Sequence, residues 1–278
     1  MSARGAEGEV RSADGTRLAV RREGAGAPLV VVHGSGGGLD SWAPVAGLLA
    51  ETRELWSYAR RGYGPSDLPA GPKSFADDVA DAVAVLDAAA AAGGGPVDLA
   101  GSSYGAIVVL HVAVARPAAL RSIALWEPPL FAAGPRVGPL LERYRAALAR
   151  DDADTAAAVL NELTRVPAEI VALVAAAGAA ARPDPEEARR SAVGWLHDLE
   201  ALAADSADAA RWRAVAVPAL LLQGADTWEP MPTAMEELAA VLPDLRRTVL
   251  EGQSHFAPST APEAVAEALR RFLAAVGG

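Results

Sequence analysis

The chain has 278 residues, of which 51% are apolar, so it is long enough to bury a large core, and its formal net charge is −10. This negative charge repels nucleic acid and anionic lipid, and no run of Lys or Arg relieves it, so neither is an expected partner. The chain contains no cysteine, which excludes a disulfide framework, a thiolate metal site and a cysteine nucleophile. The N-terminus lacks a signal-peptide pattern and no apolar stretch reaches membrane-spanning length, so we expect a soluble, cytoplasmic protein.

Short apolar runs alternate with longer alanine-rich segments of helical periodicity, which is typical of a mostly parallel sheet covered by helices. The first two strands are predicted at Gly8–Ala13 and Thr16–Arg22, around Asp14-Gly15, a dipeptide that favours a hairpin. The other predicted strands are Leu29–Val32, Leu55–Ala59, Val97–Ala100, Leu120–Trp126, Ala219–Gln223 and Arg247–Leu250. The helices predicted between and after them are Ser74–Ala92, Tyr104–Ala115, Pro232–Leu242 and Pro262–Val276.

A long segment without strand-like runs separates the sixth predicted strand from the seventh. It contains four predicted helices, at Arg136–Arg150, Asp154–Thr164, Pro167–Ala181 and Pro185–Ala204, several of which start at Asp or Pro. The pattern therefore predicts an α/β core formed by residues 1–131 and 214–278, with a helical cap at 132–213 inserted after the sixth of eight strands.

The motif Gly101-Ser102-Ser103-Tyr104-Gly105 has the form G-x-S-x-G. The string is weak by itself, but it directly follows a predicted strand and directly opens a predicted helix. A nucleophile elbow needs this setting, because the serine sits on a strained strand-to-helix turn from which its hydroxyl projects. The motif therefore indicates Ser103 as a nucleophile, while the alternative is an ordinary Gly/Ser-rich loop.

A glycine-rich loop, His33-Gly34-Ser35-Gly36-Gly37-Gly38, follows the third predicted strand. A tetrahedral oxyanion needs two preorganised N–H donors. In a site of this kind one donor comes from the residue after the nucleophile, here Tyr104, and the other from this loop. We predict Ser35 as the second donor, with Gly36 as the alternative, and a structural role for His33.

The acid and the base of a triad are sought at the carboxyl ends of later strands. Asp226 follows the seventh predicted strand and His255 follows the eighth, in the chain order Ser…Asp…His that this kind of fold uses. Glu127 follows the sixth strand, in Trp126-Glu127-Pro128-Pro129, and is the alternative acid. We favour Asp226, because it lies close beyond its strand end, whereas the rigid Pro128-Pro129 makes Glu127 resemble a hinge into the cap.

With these motifs the sequence resembles the α/β-hydrolase superfamily, in its capped, serine-esterase-like branch, over about residues 8 to 130 and 214 to 276. Residues 61–67, RGYGPSD, look like the family's R-G-x-G-x-S turn, and Arg60 departs from the Asp-Leu or Asp-Met that often precedes it. The resemblance implies an eight-stranded sheet, a helical cap, and no metal or organic cofactor. Ser103 in place of an aspartate argues against the haloalkane dehalogenase and epoxide hydrolase branches.

The expected function is hydrolysis of an ester, lactone or thioester of a small, largely apolar molecule through an acyl-enzyme. Trp126, Trp195 and Trp228 are candidate pocket residues, although they could equally pack the cap against the core. Two alternatives on the same fold stay open: a cofactor-free C–C bond hydrolase, or a lyase or cyclase of specialised metabolism. A non-catalytic ligand-binding protein is a third. The sequence predicts neither the substrate nor whether the protein is a monomer or a homodimer.

Overall fold

Eight strands form one sheet in a computed structural model that describes residues 5–172 and 184–277. The strands are β1 Ala6–Arg11, β2 Arg17–Gly24, β3 Ala27–Val32, β4 Arg53–Tyr58, β5 Val97–Ser102, β6 Leu120–Trp126, β7 Ala219–Gly224 and β8 Leu245–Leu250. Their order is β1-β2-β4-β3-β5-β6-β7-β8. β2 is antiparallel to both β1 and β4, and the other pairs are parallel. The predicted eight-stranded, mostly parallel sheet is confirmed.

Helices cover both faces of the sheet. They are α1 Ala43–Leu49, α2 Phe75–Gly93, α3 Tyr104–Ala115, α4 Gly138–Leu148, α5 Ala153–Thr164, α6 Pro185–Ala204, α7 Met231–Ala239, α8 Ala257–Thr260 and α9 Pro262–Val276. One buried cluster joins the sheet to α2 and α3, and a second joins its other face to α1 and α9. α3 is apolar almost all round, because it lies between the sheet and other elements and is buried along most of its length.

The segment between β6 and β7 is helical, as predicted, in the part that the structure describes. It contains α4, α5, α6 and a short helical stretch at 168–172, and the rest of the predicted helix Pro167–Ala181 lies outside the described residues. Asp152 caps α5 by accepting the Thr155 N–H at 3.0 Å, and Asp184 caps α6 in the same way. We call residues 130–214 the inserted segment. Across residues 5–172 and 184–277, no helix has the length and apolarity needed to cross a membrane.

Candidate active site

Ser103 lies on the sharp turn between β5 and α3. Its backbone angles are φ 56° and ψ −124°, a combination that L-residues rarely adopt. Its N–H donates to Trp126 O at 2.8 Å, so the neighbouring strand β6 holds the turn in place. The flanking glycines allow the close approach, since a Cβ on Gly101 would lie 2.4 Å from Gly105 O and one on Gly105 would lie 2.4 Å from Val32 O. The strand–turn–helix setting predicted for Ser103 is therefore present.

His255 is held by an acid, and that acid is Glu127. The His255 Nδ1 lies 2.7 Å from Glu127 Oε2. An ionised carboxylate only accepts hydrogen bonds, so Nδ1 carries the hydrogen and Nε2 is left with a lone pair. The backbone is fixed as well, because Trp126 Nε1 donates to His255 O at 2.9 Å. The imidazole is thus held in the tautomer that a general base requires.

Glu127 is fully buried and hydrogen-bonded on both carboxylate oxygens. While Oε2 accepts from His255, Oε1 accepts the Gly224 N–H at 2.8 Å and the Thr227 hydroxyl at 2.6 Å. Its φ of 41° is left-handed, which turns the chain sharply after β6 before Pro128-Pro129. Three donors converge on one carboxylate, as expected for an acid that orients a histidine.

Asp226, the acid that we favoured from the sequence, is not the hydrogen-bond partner of His255, which pairs with Glu127, and this prediction is corrected. Its side chain is exposed, and its backbone N–H donates to Gln253 O at 2.8 Å. The end of β7 and the loop after it instead donate two hydrogen bonds to Glu127, from the Gly224 N–H and from the Thr227 hydroxyl. The left-handed turn at Glu127 decides between the two acids, since it points the longer side chain under the histidine loop.

Two backbone amides are available beside Ser103. Tyr104 is the first residue of α3, so its N–H has no acceptor within the helix. Ser35 follows a peptide group whose carbonyl, Gly34 O, faces His33 Nδ1 at 2.7 Å and Arg60 Nη2 at 3.4 Å. In a trans peptide the N–H points away from the carbonyl, so the Ser35 N–H points away from these two donors. The Gly36 N–H is engaged by Tyr63 Oη at 3.1 Å, which favours Ser35 over Gly36.

His33 keeps this loop in place and stays neutral. The Arg60 N–H donates to His33 Nε2 at 3.0 Å, so the ring hydrogen is on Nδ1 and is donated to Gly34 O. Burial, and then the positive charge of Arg60, lower the pKa of His33 to about 3. The structural role predicted for His33 is consistent with these contacts.

A cavity of about 470 Å³ joins Ser103 and His255. Its wall is mostly apolar and takes residues from the core and from the inserted segment, including Phe131, Leu160, Asn161, Trp195, Trp228 and Met231. Among the described residues that line it, none is Asp, Glu, Lys or Arg. Trp228 also donates its Nε1–H to Thr164 O at 3.0 Å, so it joins the β7 loop to the inserted segment as well.

Trp126 is not part of this wall, which corrects its predicted role. Its side chain is buried on the sheet face covered by α1 and α9, and its indole N–H supports the His255 backbone. Sequence reasoning missed Gly224 and Thr227, because nothing in the local pattern indicates which side chain their donors face. Among the described residues, no cluster of three or more His, Cys, Asp or Glu could hold a metal ion.

Comparison with known proteins identifies a family whose sequence model matches most of the chain. The sequence model of the alpha/beta hydrolase family matches residues 29–268. The chain is 36% identical over 117 residues to the 2-hydroxymuconate semialdehyde hydrolase of Pseudomonas sp. strain CF600, over 41% of this chain and 40% of that protein. It is 34% identical over 102 residues to a protein of Azorhizobium caulinodans provisionally named carbamate hydrolase RutD, over 37% of each chain. These alignments span about two fifths of the relatives' own lengths.

Two longer matches cover nearly the whole chain. The (E)-2-((N-methylformamido)methylene)succinate hydrolase of Acinetobacter baylyi is 25% identical over 257 residues, which are 90% of this chain and 92% of that protein. The crystal structure of an alpha/beta hydrolase from Sphaerobacter thermophilus has a TM-score of 0.76 and 27% identity, and covers 96% of this chain and 100% of that one.

Proposed function

This chain belongs to the alpha/beta hydrolase family, and on that premise we propose that it is a serine hydrolase that cleaves an uncharged ester, lactone or thioester by acyl transfer to water. One observation carries the proposal: the strained Ser103 turn and His255, whose Nδ1 lies 2.7 Å from Glu127 Oε2, line one apolar cavity. Strained backbone is kept where the surrounding structure over-determines it, which is frequent at active sites.

The proposed reaction has two steps. Ser103 Oγ attacks the substrate carbonyl while His255 Nε2 takes the hydroxyl proton, and the alcohol or thiol leaves with that proton as the acyl-enzyme forms. His255 then takes a proton from water, the hydroxide attacks the acyl-enzyme, and the acid is released as Ser103 regains a proton. The Ser35 and Tyr104 amides stabilise the oxyanion in both steps. Glu127 holds the tautomer and stabilises the imidazolium.

The cavity supports a small, uncharged substrate. Its volume of about 470 Å³ lies within the usual range for small-molecule sites. An anionic substrate group would have to leave water without a cation, because no Lys or Arg lines the described wall. The aromatic side chains Phe131, Trp195 and Trp228 favour an apolar acyl or alcohol group instead. Since Leu160, Asn161 and Trp195 lie in the inserted segment, we propose that this segment is a cap that sets substrate choice.

Cleavage of a C–C bond is the second candidate function, favoured by the match to the Pseudomonas 2-hydroxymuconate semialdehyde hydrolase. A muconate-derived substrate carries a carboxylate, for which the described wall offers no cation. A non-catalytic binding protein is a weaker candidate, because it would have no use for the strain at Ser103 or for the buried pairing of His255 with Glu127.

A series of p-nitrophenyl esters tests the proposal, together with labelling by a fluorophosphonate probe. We expect the wild type to hydrolyse neutral acyl esters and to be labelled, and Ser103→Ala to lose both. Ser259→Ala is the matched control, because Ser259 lines the same cavity but lies in α8 and is exposed. Labelling that persists in Ser103→Ala would overturn the nucleophile, and turnover of vinylogous 1,5-diketones without ester turnover would favour C–C hydrolysis.

A further inference from the structure

A buried ion cluster joins the inserted segment to the core directly behind the glycine-rich loop of residues 33–38, which contains Ser35. Asp198 of α6 is fully buried and accepts from Arg60 Nη1 at 2.8 Å, Arg60 Nη2 at 2.7 Å and Lys73 Nζ at 2.6 Å. Asp78 of α2 lies 3.0 Å from Lys73 and 3.5 Å from Arg60. Two cations therefore face two carboxylates, and the charges of the cluster cancel.

The same two carboxylates hold both residues whose amides face the proposed oxyanion. Ser35 Oγ donates to Asp198 Oδ2 at 2.6 Å, and Tyr104 Oη donates to Asp78 Oδ2 at 2.6 Å. Tyr63 Oη donates to Asp198 Oδ2 at 2.7 Å while it accepts the Gly36 N–H. Asp198 thus receives five hydrogen bonds: one from Ser35 of the loop, one from Tyr63, which holds Gly36, and three from Arg60 and Lys73.

The Asp198 carboxylate and the two phenols keep their protonation states near neutral pH. Burial alone would raise the pKa of Asp198, but Arg60 and Lys73 lower that pKa far below its ordinary value, so the carboxylate stays charged. Burial raises the pKa of Tyr63 and of Tyr104, so both phenols remain donors. A buried ion pair adds little net stability over an apolar contact, so its presence here favours a role in fixing geometry.

We propose that Asp198 is a positioning residue that fixes the Ser35 amide, so that the geometry of the oxyanion site depends on a side chain of α6. This inference rests on the proposed function, since it names the part that α6 plays in the same site. The Ser35 hydroxyl is the direct link, because it binds a carboxylate of α6 while the same residue lines the cavity. Oxyanion donors act only when they are held close to their required position, so a loosened Ser35 lowers kcat.

Four single variants and one double variant test this coupling on p-nitrophenyl butyrate. Ser35→Ala keeps the amide and removes the link to Asp198, and we expect kcat to fall about tenfold with KM within about twofold. Ser35→Thr keeps the hydroxyl and should restore most of kcat. Asp198→Asn should lower kcat about 100-fold, more than Ser35→Ala does, because it also weakens the Tyr63 contact that holds Gly36. Adding Ser35→Ala to it should cost less than about twofold more, because the Ser35–Asp198 link is already weakened. Glu200→Gln is the matched control: Glu200 also lies on α6 and accepts the Lys73 N–H at 3.2 Å, but it does not touch the loop. Its kcat should match that of the wild type.

The inference is overturned if Ser35→Ala keeps its kcat, if the two losses are additive, or if Glu200→Gln loses as much kcat as Asp198→Asn. Should Asp198→Asn fail to fold, Ser35→Ala and Ser35→Thr decide the question on their own. A wild type without ester turnover or probe labelling would overturn the proposed function and this inference together, whereas an active wild type with an unaffected Ser35→Ala would overturn the inference alone.

Discussion

Glu127→Gln should lower kcat strongly, whereas Asp226→Asn should leave kcat nearly unchanged. The Gly224 N–H cannot turn away from Oε1, so the amide oxygen of a glutamine must occupy that position to accept it. The glutamine NH₂ group then faces His255 Nδ1. Two donors cannot face each other, so Nδ1 must give up its hydrogen, and Nε2 becomes protonated. In that tautomer the imidazole cannot take the proton of Ser103.

The magnitude of this loss follows from two effects. The carboxylate of Glu127 attracts the imidazolium by about 4 kcal/mol at a charge separation of about 4 Å and an effective dielectric constant of about 20, which is about a thousandfold in rate. The wrong tautomer adds to this, because a glutamine placed the other way would leave two N–H groups facing each other, at a cost of about 1–3 kcal/mol. We therefore expect kcat to fall by about 10⁴, as for the amide of an orienting acid in other triads.

The measurement is kcat for a neutral p-nitrophenyl ester, with the melting temperature recorded to show that each variant folds. Asp226→Asn is the matched control, because its side chain is exposed beyond β7, and its kcat should stay within about twofold of the wild type. A strong loss of kcat in Asp226→Asn, together with a normal kcat in Glu127→Gln, would refute the assignment of Glu127. The contact of 2.7 Å between His255 and Glu127 would then have a structural role only.

Three further results are expected. Thr227→Val removes one donor from Glu127 Oε1 and leaves the Gly224 N–H, so kcat should fall about tenfold; an unchanged kcat would mean that the hydroxyl is dispensable. Ser103→Gly should be more stable to urea than Ser103→Ala by about 1 kcal/mol, since φ is 56°, although both are inactive; equal stability would argue against strain at this turn. The pKa of His33 is about 3 in the folded protein and about 6.5 in the unfolded chain. As the pH is lowered, the unfolded chain therefore binds a proton first, and the free energy of unfolding decreases. Between pH 6.5 and about pH 4.5 the free energy of unfolding should lose about 2 kcal/mol from this group, and His33→Asn should lack that part of the slope in urea titrations.

The sheet could be predicted from the sequence because each strand carries its own signal. β3 and β7 are buried on both faces and contain the aliphatic runs Leu29–Val32 and Ala219–Leu222. The β1–β2 hairpin has Asp14-Gly15 at its turn, where Gly15 has φ 89°. The starts were less accurate, since β3, β4 and β8 each begin two residues before their predicted starts. In β8, the adjacent Arg246 and Arg247 hide the strand pattern near its start.

The acid could not be predicted from the sequence, because the choice depends on contacts between distant loops. Glu127 and Asp226 both follow a strand, and both fit the chain order between Ser103 and His255. The difference is three-dimensional: the left-handed turn at Glu127 directs its carboxylate to donors about 100 and 128 residues away. Asp198 posed the same difficulty, since it is one of several acids on a helix, and its partners lie more than 120 residues earlier in the chain.

The strained residues of the site are supported by the sheet itself. Of the four non-glycine residues with positive φ in the described chain, Asp151 and Arg165 follow helices, where a left-handed residue is ordinary. Ser103 and Glu127 instead follow strands, one residue past the end of β5 and of β6. The ladder continues through them, because Ser103 N–H donates to Trp126 O at 2.8 Å and Glu127 N–H donates to Leu222 O at 3.2 Å. Three adjacent strands thus carry the proposed nucleophile, the proposed acid and the donors of that acid side by side, so the pairing that folds the sheet also holds the strained turns in the geometry that the proposed reaction needs.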